Sequence, residues 1–134
     1  MIGVIDTSAL IRIFVPDGPL PDGFEDFLRG VERGLNIAIA PELLLAEAAN
    51  VISKKRMSGE LDGNESDQLL SDLLAVPIRL FSHQPLIIQA FKLAREHNLT
   101  VYDTLYLALA EDHGAIIYSA DRKLLNTAAH LRLV

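Results

Sequence analysis

Four acidic residues are candidates for chemistry because each follows an apolar segment or lies within one. A carboxylate in such surroundings is unfavourable unless it is paired or bound to a cation. Carboxylates that converge on one site also repel each other, by about 4 kcal/mol for a pair about 4 Å apart at an effective dielectric constant near 20. Either protonation of some of the acids or binding of divalent cations relieves that repulsion, and in the second case oxygen ligands favour Mg²⁺ or Mn²⁺ over zinc. The four residues are Asp6, Glu47, Asp103 and Asp121.

Two of these acids follow predicted strands. Asp6 closes the apolar run Ile2–Ile5, and Asp121 comes shortly after the run Ala115–Tyr118. In open α/β sheets the functional crevice lies beyond the carboxyl ends of the strands, so we expect both carboxylates there. An aspartate after a strand also commonly caps the next helix, and each position taken singly fits that structural role.

The other two acids belong to predicted helices. Glu47 shares a helical face with Leu44, Ala48 and Val51, because residues three and four positions apart lie on one side of a helix. No Lys or Arg stands three or four positions from Glu47, which weakens the alternative that it forms an ion pair, although it could also reach solvent at the edge of the stripe. Asp103 falls at the start of a helix that looks buried, where capping again competes with function.

The elements that must position these acids are short apolar strands alternating with helical patterns. Such strands between amphipathic helices are typical of a parallel sheet covered on both faces. We predict a three-layer α/β/α fold with a central, mainly parallel sheet of four to five strands, in one domain over residues 1–134. Asn64 indicates a helix start, and Gly114 a helix end. The predicted strands are Ile2–Ile5, Ile37–Ala40, Pro77–Phe81 and Ala115–Tyr118, with Leu131–Val134 as the candidate fifth.

Composition narrows the class of protein. The 134 residues carry a net charge of −6, which taken alone argues against a binder of nucleic-acid phosphates, unless several of the acids hold metal. Cysteine is absent, which excludes disulfides and thiolate chemistry. No apolar run approaches the roughly 20 residues of a membrane span, and the apolar N-terminus contains charged residues, unlike a secretory signal. We therefore expect a cytoplasmic protein.

A magnesium ion held by carboxylates suits the hydrolysis of phosphodiester bonds. Such an ion keeps open positions that bind phosphate, and it lowers the pKa of bound water. No Ser–His–Asp or Cys–His set competes, because Cys is absent and Ser8 has no evident histidine base. The glycine-rich fingerprints of nucleotide-binding loops are absent as well.

Four segments surround the acids: Val4–Leu10, Pro41–Asn50, Leu99–Ala110 and Tyr118–Leu124. They resemble the PIN domain and, more narrowly, the VapC-like toxins of type II toxin–antitoxin systems. The resemblance spans nearly the whole chain. It implies a Mg²⁺- or Mn²⁺-dependent endoribonuclease, usually a homodimer, that is held inactive by a cognate antitoxin whose C-terminal segment enters the active-site groove.

The same resemblance implies roles for individual residues. The acidic quartet of the family matches Asp6, Glu47, Asp103 and Asp121, as catalytic residues and metal ligands. Glu47 would act directly or through a bound water. Ser8 resembles the hydroxyl that orients the first aspartate, and Ser119 stands where the family more usually has threonine, a change that keeps the hydroxyl.

RNA would have to reach an acidic protein, and two basic segments are candidates for that contact. A short basic run is also typical of a solvated helix end, and the sequence shows no aromatic stacking platform. If RNA does bind there, neutralising these residues should weaken binding broadly. The candidates are Lys54, Lys55 and Arg56 after the predicted Glu47 helix, and Arg122 and Lys123 beside Asp121.

Three alternatives belong to other classes of protein. A PIN-like module that keeps the pocket but does not cleave would serve in RNA binding or protein interaction. A phospho-acceptor receiver domain needs adjacent acids after its first strand and a late strand-end lysine, where this chain has Asp121. A phosphatase of the Asp-x-Asp type needs a second aspartate at Ser8. The leucine- and alanine-rich helices also predict a homodimer that buries surplus apolar surface.

Overall fold

Four short strands form the central sheet of the computed structural model, which describes all 134 residues. They are β1 (Ile2–Ile5), β2 (Ile37–Pro41), β3 (Ile78–Phe81) and β4 (Ile116–Tyr118). All pairs are parallel, and the order across the sheet is β3-β2-β1-β4. The predicted parallel sheet is confirmed, and β1 and β2 at its centre are almost wholly buried, as continuous apolar strands should be.

Seven α-helices connect the strands and complete the three-layer α/β/α arrangement. Two of them join β1 to β2, two join β2 to β3, two join β3 to β4, and the last follows β4. None combines the length and the apolar character needed to cross a membrane. The helices are α1 (Thr7–Phe14), α2 (Phe24–Glu32), α3 (Leu43–Met57), α4 (Gly63–Leu74), α5 (Ile87–His97), α6 (Val101–His113) and α7 (Arg122–His130).

Helix α6 is the buried helix that the sequence predicts. Its residues from Thr104 to Ala110 are all buried, and it packs against β1, β2, β4 and α5. A helix that is apolar on every side has to be covered on every side. It ends at Gly114, which has a φ of 58°, as predicted. Helix α4 begins at Gly63, just before the predicted Asn64, because Asp62 and Glu65 form a capping box.

The expected fifth strand at Leu131–Val134 does not form. Arg132 takes a positive φ of 60°, which interrupts any extended run. Leu133 instead turns back onto α7, with its N–H on the carbonyl of Ala128 at 2.8 Å. A single strand-like bond remains, from the N–H of Ile117 to the carbonyl of Leu133 at 2.7 Å. The sheet therefore has four strands.

Candidate active site

The order of the strands places a crevice between β1 and β4. From β1 the chain continues to β2 and β3 on one side of the sheet, and it returns with β4 on the other side. Ligand sites in open α/β sheets lie at such a reversal, beyond the carboxyl ends of the strands. Asp6 follows β1 directly, and Asp121 comes three residues after β4 ends.

A pocket of about 360 Å³ opens at this edge of the sheet, and all four predicted acids line it. Helix α3 contributes Glu47 and helix α6 contributes Asp103, so four different parts of the fold meet here. The lining residues are Asp6, Thr7, Ser8, Ile11, Arg12, Asp17, Glu47, Val51, Asp103, Tyr106 and Asp121.

Asp6 is the most buried of the four acids, with 5% of its surface exposed. Its Oδ1 accepts hydrogen bonds from Ser8 Oγ at 2.7 Å and from the N–H of Ala9 at 2.9 Å, and its Oδ2 accepts from Ser119 Oγ at 2.5 Å. Burial raises its pKa, the three hydrogen bonds oppose the shift, and repulsion from Asp121 adds to it. Asp6 therefore caps α1 and lines the pocket at once.

Glu47 forms no ion pair with a lysine, but its carboxylate accepts hydrogen bonds from two hydroxyls. Its Oε1 accepts hydrogen bonds from Tyr106 Oη at 2.7 Å and Thr7 Oγ1 at 3.0 Å, and these two hydroxyls lie 3.1 Å apart. Burial holds the pKa of Tyr106 far above its ordinary value, so the phenol stays protonated and donates. Both bonds fall on Oε1, which leaves Oε2 for a ligand.

Asp103 and Asp121 differ in how their carboxylates are used. Thr100 caps α6 by accepting the N–H of Asp103 at 3.1 Å, so the Asp103 carboxylate does not serve as the helix cap. Burial raises the pKa of Asp103, with further contributions from the charges of Asp121 and Glu47. Asp121 does cap α7, through a bond of 2.9 Å from the N–H of Lys123 to Oδ1. Capping and a place in the pocket are thus compatible for Asp121.

The donor set of the pocket fits a hard divalent cation. None of the four acids forms an ion pair with Lys, Arg or His. Carboxylate and hydroxyl oxygens are the groups that Mg²⁺ and Mn²⁺ prefer. The side chains do not stand as a ready-made cluster of three metal ligands, and carboxylates repel each other where no cation lies between them. Holding an ion here therefore requires the carboxylates to draw together.

The predicted RNA-binding residues lie outside the pocket lining. Lys55 is 14% exposed at its side chain and forms ion pairs with Glu60 at 2.6 Å and with Asp17 at 3.0 Å. Both carboxylates raise the pKa of Lys55, which therefore stays charged but is already paired. The exposed members of the set are Lys54, Arg56, Arg122 and Lys123.

Four polar residues of the pocket lining were not among the site residues predicted from the sequence: Thr7, Arg12, Asp17 and Tyr106. Thr7 directly follows an acid, and Tyr106 lies one helical turn after Asp103, so both positions carried a usable signal. Arg12 lies one turn after Ser8 on α1, which places the two side chains on one face. Asp17 has no such signal, and it joins the site only because the folded protein brings the loop after α1 beside the acids.

Together the fold and the pocket define a three-layer α/β protein with a carboxylate-lined site at the switch point of its sheet. The chain belongs to the PIN domain family, whose model matches residues 3–130. It is 31% identical over 123 residues to ribonuclease VapC3 of Pyrobaculum aerophilum, covering 90% of each chain. It is also 31% identical over 121 residues to ribonuclease VapC1 of Mycobacterium tuberculosis, covering 90% of this chain and 86% of that one.

Solved structures share the fold. The PAE2754 protein of Pyrobaculum aerophilum superposes with a TM-score of 0.69 at 24% identity, over 94% of this chain and 86% of that one. Mycobacterium tuberculosis VapC20, described as a toxin that cleaves the sarcin–ricin loop, gives 0.65 at 14% identity, over 93% and 94%. VapBC2 of Rickettsia felis, solved with a DNA fragment from its promoter, gives 0.61 at 17% identity, over 87% and 86%. The resemblance and the fold class predicted from the sequence are confirmed.

Proposed function

We propose that this protein is a metal-dependent endoribonuclease of the VapC type, the toxin of a toxin–antitoxin pair. The observation that carries the proposal is the meeting of four carboxylates, none of them in an ion pair, in one pocket at the carboxyl edge of the sheet. The ribonuclease names of the two curated relatives support the reaction class. The oxygen-rich lining favours Mg²⁺ or Mn²⁺ as the cofactor.

Asp6 and Asp103 are the proposed main metal ligands, Asp121 is the third, and Glu47 would complete the set through a bound water. When bound, Mg²⁺ or Mn²⁺ would supply a site for the substrate phosphate and a lowered pKa for a water molecule. The hydroxyls of Ser8 and Ser119 fix the Asp6 carboxylate, so its orientation is set before any ligand arrives. Asp6 is therefore the fixed ligand toward which the other three carboxylates would move to hold an ion.

Glu47 is proposed to accept a proton from the attacking water at Oε2. Tyr106 and Thr7 both donate to Oε1, so the carboxylate is held in place while its second oxygen stays free. The water oxygen would then bond to phosphorus while the P–O bond to the opposite, leaving oxygen breaks, and the leaving oxygen would take up a proton from solvent. Glu47 would therefore both orient the attacking water and receive its proton.

The test compares cleavage of an RNA pool by the wild-type protein with cleavage by Asp6→Asn and Asp103→Asn. Both variants should lose cleavage while circular dichroism shows an intact fold. Asp67→Asn, which changes an exposed acid of α4 in the same way, should cleave as the wild type does. Mg²⁺ binding without cleavage of any RNA by the pure wild-type protein would instead favour the non-cleaving PIN-like module.

The proposal extends to partners. We expect a cognate antitoxin protein, a homodimer and a cytoplasmic location, where RNA and antitoxin would both be found. The structural neighbour from Rickettsia felis bears the name VapBC2, which supports the expectation of an antitoxin for this chain. Controlled expression should arrest growth, and co-expression of a small neighbouring reading frame should relieve the arrest. Growth unaffected by the wild-type protein would contradict the toxin role.

A further inference from the structure

Arg12 is the one cation that lines a pocket with five carboxylates. It lies in the last turn of α1, half-buried, and forms no ion pair despite its surroundings. Arginine has five N–H donors, and the only hydrogen bond that Arg12 makes runs from Nη1 to the carbonyl of Pro19 at 2.9 Å. Most of the guanidinium is therefore free for a ligand of opposite charge.

The loop after α1 holds this guanidinium in place. Gly18 packs against it so closely that a Cβ there would lie 2.9 Å from Cζ and 3.0 Å from both terminal nitrogens. On the neighbouring residue, Asp17 is engaged by Lys55 at 3.0 Å, which ties the loop to helix α3. Arg12 is thus oriented from two sides, by a carbonyl and by the backbone of a glycine.

The ligand that fits this arrangement is a phosphate. An RNA strand entering a pocket of carboxylates meets negative charge, and a metal ion offsets it only at the ion itself. A planar guanidinium binds phosphate oxygens through two parallel hydrogen bonds, which a pocket of this sign otherwise lacks. We propose that Arg12 binds a backbone phosphate of the RNA substrate and that Gly18 and Pro19 position it. This inference rests on the proposed ribonuclease function.

The experiment measures binding and cleavage separately. Binding of a labelled single-stranded RNA of random sequence is followed over a range of salt concentrations in an Asp103→Asn background, and cleavage is followed in the wild-type background. Arg12→Gln should weaken binding about tenfold or more, the scale of a charge-assisted hydrogen bond, and lower the salt slope by about 0.7. Arg12→Lys should retain the slope and lose part of the affinity.

Gly18→Ala tests the position of the Arg12 side chain without changing the charge of the protein. Gly18 has no positive φ, so alanine fits its backbone, and the only clash is with the flexible end of Arg12. This variant should weaken RNA binding although every charge is retained. Arg79→Gln, which removes an exposed charge on β3 and outside the acidic pocket, should bind RNA as its parent does.

Calorimetry with Mn²⁺ alone distinguishes failure of the Arg12 proposal from failure of the ribonuclease proposal. Arg12→Gln should bind Mn²⁺ no more weakly than the wild type, because it removes a positive charge from the site. If Arg12→Gln and Gly18→Ala cleave RNA at the wild-type rate and bind it with unchanged affinity, the proposed role of Arg12 is overturned and the proposed ribonuclease function stands. Loss of Mn²⁺ binding in these variants would assign Arg12 to the structure of the pocket. A wild-type protein that neither binds nor cleaves RNA would end both proposals.

Discussion

Tyr106 donates a hydrogen bond of 2.7 Å to Glu47, although the two residues are 59 positions apart in the chain. The contact joins the buried helix α6 to helix α3, and Thr7 of α1 completes it with a second bond to the same oxygen. Tyr106 is 2% exposed, so solvent does not compete for its hydroxyl. The orientation of Glu47 therefore depends on the packing of the core.

Removing only the Tyr106 hydroxyl should lower cleavage without unfolding the protein. Tyr106→Phe keeps the packed ring but leaves Glu47 with one donor, and loss of such an outer partner typically costs about 10–100-fold in activity or metal affinity. Single-turnover cleavage and thermal unfolding measure the two effects. Tyr118→Phe is the matched control, because Tyr118 is another largely buried tyrosine and its hydroxyl bonds to no other residue of the protein. Equal activity of the two variants would contradict a positioning role for Tyr106.

Divalent metal should stabilise the folded protein through the carboxylates of the pocket. A ligand that binds only the native state at about a hundred times its dissociation constant adds about 2.7 kcal/mol, or roughly 10 °C in Tm for a chain of this length. Differential scanning fluorimetry with Mn²⁺ and with EDTA should show this shift in the wild type and in Asp67→Asn. Asp6→Asn and Asp103→Asn should show little of it. A full shift in both variants would place metal binding elsewhere.

The pH dependence of stability should reverse in sign when metal is present. Burial and repulsion from Asp121 raise the pKa of both Asp6 and Asp103, so the metal-free folded protein binds protons more readily than the unfolded chain. Their stabilising contribution is fully present below the ordinary value of 3.8 and is lost as the pH rises through the raised pKa. A metal ion needs the deprotonated carboxylates, so its stabilisation falls as the pH drops through the same range.

Thermal unfolding between about pH 4 and pH 8, with and without Mn²⁺, measures both trends. The Mn²⁺-induced rise in Tm should grow with pH and should be nearly absent from the Asp6→Asn and Asp103→Asn variants. Asp67→Asn should follow the wild type throughout. A metal effect that does not change with pH would mean that these two carboxylates titrate independently of metal binding.

Much of the fold could be predicted from the sequence because its signals are local. Apolar runs ended at Asp6 and Pro41, glycine ended α6, and burial of continuous strands required a parallel sheet. The prediction of a fifth strand was wrong because a local apolar pattern cannot show that Arg132 takes a positive φ. The partners of Glu47 could not be predicted either, since Tyr106 and Thr7 reach it only through contacts between helices distant in the chain.

The proposed homodimer should depend on the exposed apolar face of α5. Ile88 is 73% exposed and Phe91 is 58% exposed, and the two lie one turn apart on the same side of the helix. Exposed apolar side chains that adjoin one another commonly mark protein interfaces.

Ile88→Asp places a charge on this face of α5 and should convert a dimer into a monomer in light scattering at micromolar concentration. Leu35→Asp, at an equally exposed residue just before β2 and outside α5, should leave the mass unchanged. A wild-type protein that is monomeric under these conditions would exclude the dimer outright, whereas a dimer that survives Ile88→Asp would move the interface away from α5.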